Sequence, residues 1–356
     1  MSPIGANGPS GVRGGPVRLR TSRPDRPGWT RRRAGSGFRF VDSEGRRITD
    51  EPARVRLRAL AIPPAWTDVW ICPWENGHIQ AMGTDAAGRR QYLYHERFRE
   101  LREASKHDHV LEVSARLPHL RAAVEEDLRE RGLVRERVLA CLVRLLDLGF
   151  FRIGGTAYRR DHESYGLTTL LREHARCAGG EVRFDFPGKS AQRQTRSLVD
   201  PASFAVMRAL LRRDDGPQLF VYRAAGSWHD VRADDVNEYL RDRAGADLTA
   251  KDFRTWHATV LAAVALAVSE TMADASPTRR RSAETRAVRE VSRYLGNTPA
   301  VCRASYINPR VVELFEDGVT IRPALDALGA SAADGDPATH GAVEAAVRRL
   351  LIRGSP

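Results

Sequence analysis

The spacing of apolar residues changes once along this chain, and the change limits what it can fold into. From Phe38 to Tyr94 apolar residues come in short alternating runs cut by turn signals. Phe38-Arg39-Phe40-Val41, before Asp42-Ser43-Glu44-Gly45, reads as a strand and a turn. Val69 to Pro73 and His78 to Met82, joined through Glu75-Asn76-Gly77, read as a hairpin, because Asn-Gly accepts the positive φ values of a tight turn. Gln91-Tyr92-Leu93-Tyr94 is a further strand candidate. Beyond Leu117 the period becomes helical: Leu120 to Leu148 repeats at three and four, and Asp147-Leu148-Gly149 closes it. Helices are expected at 201–213, 233–243, 249–270, 277–295 and 309–316. Glu181 to Leu198 alternates about Pro187-Gly188, as a hairpin would. The expected fold class is α+β. A small antiparallel β-rich N-terminal domain spans 36–105, a larger mainly helical domain with a small β-hairpin insert spans 106–322, and a C-terminal extension spans 323–356.

With 356 residues the chain can bury two cores. Its net charge of +12 and pI near 10.2 favour a polyanionic partner, whether DNA, RNA or an anionic membrane, against the plainer reading of a solvated basic surface. Met1 to about Gly35, Gly/Pro-rich and ending in Arg31-Arg32-Arg33, offers little to bury and is expected to be a disordered basic tail. Arginine carries nearly all the positive charge, lysine standing only at 106, 189 and 251. Arginine does not release a proton near neutral pH, so a cationic proton donor must come from those three lysines. Cys72, Cys141, Cys177 and Cys302 form no CxxC pair, which argues against a zinc ribbon or a disulfide framework and suits a reducing cytoplasm. The longest apolar run, Val260 to Val268, falls short of the ~20 residues of a membrane span, and the N-terminus lacks a signal-peptide apolar stretch.

Several sites fail on their own chemistry. Gly188-Lys189-Ser190 ends like a phosphate-binding P-loop, but Arg183 stands where that pattern demands glycine. His107 and His109 flank Asp108 without a zinc-spaced ligand set, and a polar linker is expected there. No paired-aspartate set suggests a two-metal nuclease, and no GxSxG elbow appears. What remains is cationic and phenolic. Arg152 is embedded in Phe150-Phe151-Arg152-Ile153-Gly154-Gly155, Lys189 sits at a turn, Arg254 opens a long helix, and Tyr306 follows Leu295-Gly296-Asn297-Thr298-Pro299 and a short helical stretch. Each alone is an ordinary surface or packing residue. Together they match phosphodiester transesterification. A phenol attacking phosphorus must lose a proton despite a reference pKa of about 10, and two guanidiniums on the phosphate favour the phenolate and stabilise the spreading charge. A lysine can protonate the leaving 5′-oxygen, and the Asn297 amide can donate one more hydrogen bond. Bond energy kept in a phosphotyrosine leaves no demand for ATP, a metal or another cofactor.

At these residues the sequence resembles the poxvirus-like and bacterial type IB DNA topoisomerases, from about 36 to 320. The resemblance is carried by Ile62-Pro63-Pro64-Ala65-Trp66, Gly88-Arg89-Arg90-Gln91-Tyr92-Leu93-Tyr94, Phe151-Arg152-Ile153-Gly154, Ser164-Tyr165-Gly166-Leu167-Thr168-Thr169, Gly188-Lys189-Ser190, Lys251-Asp252-Phe253-Arg254-Thr255-Trp256, and Leu295-Gly296-Asn297-Thr298-Pro299 through Ser305-Tyr306, all in one order. It implies a C-shaped clamp round duplex DNA, with a small β-rich N-terminal domain and a larger helical catalytic domain. It also implies a chemistry of one strand at a time: Tyr306 forms a 3′-phosphotyrosine while the free 5′-OH end swivels and then re-attacks. Arg152 and Arg254 match the phosphate-binding arginines and Lys189 the general acid. Gln91, Tyr92 and Tyr94, within the Arg89-Arg90 stretch, match major-groove contacts, and Tyr165 a further DNA contact. Asn297 stands where viral relatives carry histidine, which leaves it hydrogen bonding without acid–base work. His257 stands where a small residue is expected, one turn from Arg254; local packing is its expected role, a second phosphate contact the alternative. A monomer, cytoplasmic and nucleoid-associated, is implied. Two rivals remain: a tyrosine recombinase, which shares this catalytic logic, and a non-catalytic DNA-binding descendant. An RNA-binding protein is motivated only by charge.

Overall fold

The computed structural model describes residues 18–155, 164–189, 192–273, 276–329 and 339–353. Its two compact units meet in sequence between Lys106 and His107.

The first unit is built on a five-stranded antiparallel sheet, in the order β2-β1-β3-β4-β5. The strands are β1 (Trp29–Ala34), β2 (Gly37–Val41), β3 (Thr67–Ile71), β4 (Ile79–Thr84) and β5 (Arg90–Tyr94). Helix α1 (Glu51–Ala59) starts where the Asp50 carboxylate accepts from the Ala53 N–H at 2.9 Å, with Pro52 in its first turn. It delivers Leu57 to a core of Ile62, Val69, Ile71 and Ala81. Strand β1 corrects the expectation of a disordered tail up to Gly35. Trp29 packs on that core, and Arg31 donates to the carbonyls of Ile62 at 2.8 Å and Trp66 at 2.9 Å. An arginine that satisfies otherwise orphaned carbonyls is a structural residue, which a basic composition does not reveal. Met1 to Val17 lie outside the described residues.

Helix α2 (Glu96–Ser114) takes the place of the polar linker expected about His107, which is buried. In the second unit α3 (Leu117–Leu128) and α4 (Arg135–Gly149) split the single helical stretch read over Leu120 to Leu148. Helix α4 is buried over most of its length from Val138 onward, with Leu139, Leu142, Leu145 and Leu146 all sealed, as suits a central helix. The insert is larger than one hairpin. Strands β6 (Ala175–Ala178), β7 (Glu181–Pro187) and β8 (Arg193–Val199) form a three-stranded antiparallel sheet, and β9 (Val221–Ala224) pairs with β10 (Ser227–Asp230). The remaining helices are α5 (Pro201–Arg212), α6 (Ala233–Ala244), α7 (Ala250–Ala273), α8 (Pro277–Leu295), α9 (Pro299–Ser305), α10 (Pro309–Glu316), α11 (Arg322–Gly329) and α12 (Gly341–Arg353). The segment beyond Arg322 is no appendage, since Val347 and Leu351 of α12 lie in the unit's main core. The described fold is α+β: a β-rich first unit and a mostly helical second unit with small sheets.

Candidate active site

Three segments that carry the sequence motifs are laced together by backbone bonds. Leu167 N–H donates to Arg152 O and Thr168 N–H to Ile153 O, both at 2.8 Å, while Tyr165 N–H donates to Pro187 O at 2.8 Å. The first two segments cross where Gly154 meets Gly166. A Cβ on Gly166 would stand 2.5 Å from the Gly154 backbone, so only glycine lets the chains approach. The lacing puts Arg152, Tyr165 and Lys189 on one pocket with Gln194, Arg196 and Arg254, and no Asp or Glu is among its lining residues. Lys189 is exposed at the end of β7, and Ser190 beside it lies outside the described residues.

Arg254 enters from the first turns of α7 and is 4% exposed. Its Nη1 donates to Phe150 O and its Nη2 to Leu295 O at 2.7 Å. Phe150 caps α4 in a left-handed conformation, φ 56° and ψ 27°. That geometry costs a non-glycine residue about 1–2 kcal/mol, and it turns the carbonyl that fixes Arg254. Arg152 donates through Nη2 to Gly296 O at 3.2 Å and to Asn297 Oδ1. Asn297 is therefore held by its oxygen, and its Nδ2 is a buried donor without a partner, as is Nε of Arg254. Burial, then the neighbouring Arg152, pushes the Arg254 guanidinium down to about 10.

Tyr306 stands at the C-terminal cap of α9, whose own start is fixed by Thr298 and Pro299. Its carbonyl accepts from Thr259 Oγ1 at 3.3 Å, and the same hydroxyl accepts from Asn308 N–H at 3.1 Å. The Arg254 guanidinium carbon lies 5.5 Å from the Tyr306 ring centroid. Burial opposes ionisation of the phenol, but the Arg254 and Arg152 charges outweigh it and hold Tyr306 below its ordinary value. The second unit thus gathers Arg152, Arg254, Asn297 and Tyr306 in one cluster, with Lys189 and Tyr165 on the adjoining pocket.

Sequence reading missed Arg196. On β8 it shares a face with Gln194 and Leu198, and its guanidinium donates to Thr195 O, Gln194 Oε1 and Tyr294 O. The signal was parity: an arginine two residues from Leu198 on an alternating strand faces the same way as that leucine. His257 is fully buried and bonded to Asp147, as a packing residue is.

In the first unit β5 alternates. Leu93 packs on the core, so Arg90, Tyr92 and Tyr94 occupy the opposite face, where the two tyrosine rings stack at 5.9 Å. Gln91 is on the Leu93 side, its amide donating to Asp85 Oδ2 at 2.9 Å. Asp85 also accepts from the Arg89 N–H and Nε, at 3.0 and 3.1 Å, which fixes the β4–β5 turn. The structure therefore groups Arg90, Tyr92 and Tyr94 and sets Gln91 apart from them.

The chain is similar to known proteins over most of its length. Residues 95–319 match the family model of the eukaryotic DNA topoisomerase I catalytic core, and residues 37–85 match that of the bacterial DNA topoisomerase IB N-terminal domain. The chain is 30% identical over 270 residues to a DNA topoisomerase 1B of Acanthamoeba polyphaga mimivirus, covering 74% of this chain and 80% of that protein. It is 23% identical over 276 residues to the DNA topoisomerase 1B of vaccinia virus (strain Copenhagen) and to the DNA topoisomerase I of monkeypox virus, covering 75% of this chain and 83% of each relative. No helix among the described residues is long and apolar enough to cross a membrane. With family models matched in both units and a relative 30% identical over 74% of the chain, the chain belongs to the type IB DNA topoisomerase family.

Proposed function

We propose that this chain relaxes supercoiled duplex DNA by cutting and resealing one strand through Tyr306. The observation that carries the reading is a pocket lined by Arg152, Lys189, Arg196 and Arg254, with no carboxylate on its wall and two buried donors left open beside it. Such a concentration of like charge repels itself in the free protein and is relieved by an anion. Tyr306 Oη attacks the scissile phosphorus, forming the Tyr306 O–P bond and breaking the bond to the 5′-oxygen. Arg152 and Arg254 hold the non-bridging oxygens, where the open Nε of Arg254 and Nδ2 of Asn297 donate further bonds as charge develops. Lys189 gives its proton to the leaving 5′-oxygen. The 5′-OH end rotates, then attacks the phosphotyrosine and expels Tyr306. One phosphodiester is exchanged for another, so the cycle needs no ATP, and fixed guanidiniums supply the charge stabilisation that a metal would otherwise bring.

In the first unit we assign DNA contacts to the stacked Tyr92 and Tyr94 with Arg89, Arg90 and Gln91, and Tyr165 contacts DNA from the catalytic pocket. A single chain contains every group the cycle uses, so a monomer working on chromosomal DNA is sufficient. The test is relaxation of negatively and positively supercoiled plasmid in EDTA without ATP, with Tyr306→Phe alongside. Wild-type protein relaxes both signs, while the variant binds DNA and relaxes neither. Relaxation by Tyr306→Phe would refute the nucleophile, and a wild type that binds but never relaxes would refute the swivelling cycle.

A further inference from the structure

Behind the catalytic arginines lies a second polar cluster that the strand-exchange chemistry does not use. Asp147 Oδ1 is 3.1 Å from His257 Nε2 and 3.1 Å from His340 Nε2, and Asp147 Oδ2 accepts from Arg121 Nε at 2.7 Å. Arg121 also donates to Glu344 Oε2 at 2.6 Å, and Glu344 Oε1 accepts from Trp256 Nε1 at 2.7 Å. Asp147, His257, His340 and Glu344 are all buried. Burial opposes ionisation of Asp147, but its bonds to His257, His340 and Arg121 outweigh it and hold the carboxyl well below the usual range. An ionised carboxylate only accepts, so both imidazoles present Nε2–H to it.

One His–Asp–His group with its three donor atoms within 4.8 Å of one another has the spacing of a metal site. Two observations favour hydrogen bonds instead. A metal on His257 Nε2 would move that ring's proton to Nδ1, which is buried without a partner, whereas ligating histidines give their other N–H to an acceptor. Arg121 also already supplies positive charge to Asp147.

The placement of the cluster gives it a role. Asp147 lies in the last turn of α4, three residues before Phe150, whose carbonyl holds Arg254, and five before Arg152. His257 follows Arg254 by one turn of α7, and its ring meets Phe150 edge-on at 5.4 Å. His340 and Glu344 come from the far end of the chain, at the start of α12. We propose that His340 and Glu344 are positioning residues that lock the end of α4 to α7 through Asp147, His257 and Trp256, and so set the angle at which Arg152 and Arg254 meet the scissile phosphate. The inference rests on the assignment of those arginines to the phosphate.

The experiment measures single-turnover cleavage, noncovalent DNA affinity and thermal midpoint for the full chain with His340→Ala, His340→Gln and Glu344→Gln, each also combined with Arg254→Lys. His340→Ala is expected to slow cleavage roughly 10- to 100-fold, the cost of misplacing a catalytic group by about 1 Å, with DNA affinity unchanged. His340→Gln restores much of the rate, because its amide still donates to Asp147. In the Arg254→Lys background His340→Ala costs much less, since the arginine it aims is gone. A lowered thermal midpoint with an unchanged cleavage rate would overturn the proposal, as would full additivity with Arg254→Lys. One equivalent of metal bound to the purified protein and lost with His340→Ala would overturn it too. If His340→Ala does not fold, Glu344→Gln carries the same readouts, because it keeps shape and the Trp256 acceptor while removing the charge that holds Arg121. Arg254→Lys cleaving at the wild-type rate would instead strike the phosphate assignment itself.

Discussion

At Tyr306 burial and charge pull in opposite directions, and the arginines prevail. The sign of the consequence is definite. A phenol whose pKa lies below its ordinary value becomes phenolate at lower pH, so removing an arginine moves its titration upward. In the free protein the ultraviolet difference spectrum between wild type and Tyr306→Phe isolates this phenol. Its midpoint is expected below that of an ordinary tyrosine and is expected to rise with Arg152→Ala, by about one unit for each ~1.4 kcal/mol of lost interaction. A midpoint indifferent to Arg152→Ala would remove that charge from the account of activation. Much of this was legible in the sequence, since Arg152, Lys189, Arg254, Asn297 and Tyr306 each stand in a distinctive string. Other parts were not. The Phe150 carbonyl that fixes Arg254 has no side-chain signature, and Asp147 and His340 are bonded across 193 residues of sequence.

Among the elements, those with a strong apolar period or a sharp stop were readable. Helices at 277–295 and 309–316 match their expected bounds because Pro277 and Pro309 open them and Gly296 and Gly318 lie just beyond their ends. Helix α2 was missed because charged residues crowd its whole surface and its apolar face is thin. Strands β6, β9 and β10 are only four residues each, too short for an alternation to register. The crossing at Gly154 and Gly166 joins elements at a point where neither sequence stretch shows the other's presence. It yields a sharp prediction. Gly166→Ala forces a methyl against the Gly154 backbone, so the Arg152 loop must shift away from the Tyr165 segment. Overpacking of this kind costs about 1–3 kcal/mol of stability, read by denaturant melting. The single-turnover cleavage rate should fall more than tenfold, as expected for a displaced catalytic group. A variant as fast as wild type would mean that the lacing does not place Arg152.

For the molecule as a whole, the surplus of +12 and the buried Arg254 beside Tyr306 make separate contributions, and salt distinguishes them. Exposed arginines meeting DNA phosphates release counterions, so affinity falls steeply as salt rises. For a footprint of several phosphates the loss is roughly 10³-fold or more between about 50 and 200 mM. Arg254 is 4% exposed, and the field between it and the Tyr306 phenol runs largely through protein, where mobile ions screen weakly. Once DNA is saturating, the single-turnover cleavage rate should therefore change little over the salt range that weakens binding a thousandfold. Filter or anisotropy titrations give the first quantity, and cleavage at several DNA concentrations gives the second. A saturated rate that fell in step with affinity would place the charges beside Tyr306 in contact with bulk ions, contrary to the burial of Arg254. An affinity that ignored salt would mean that the basic surface, for all its charge, is not what holds the duplex.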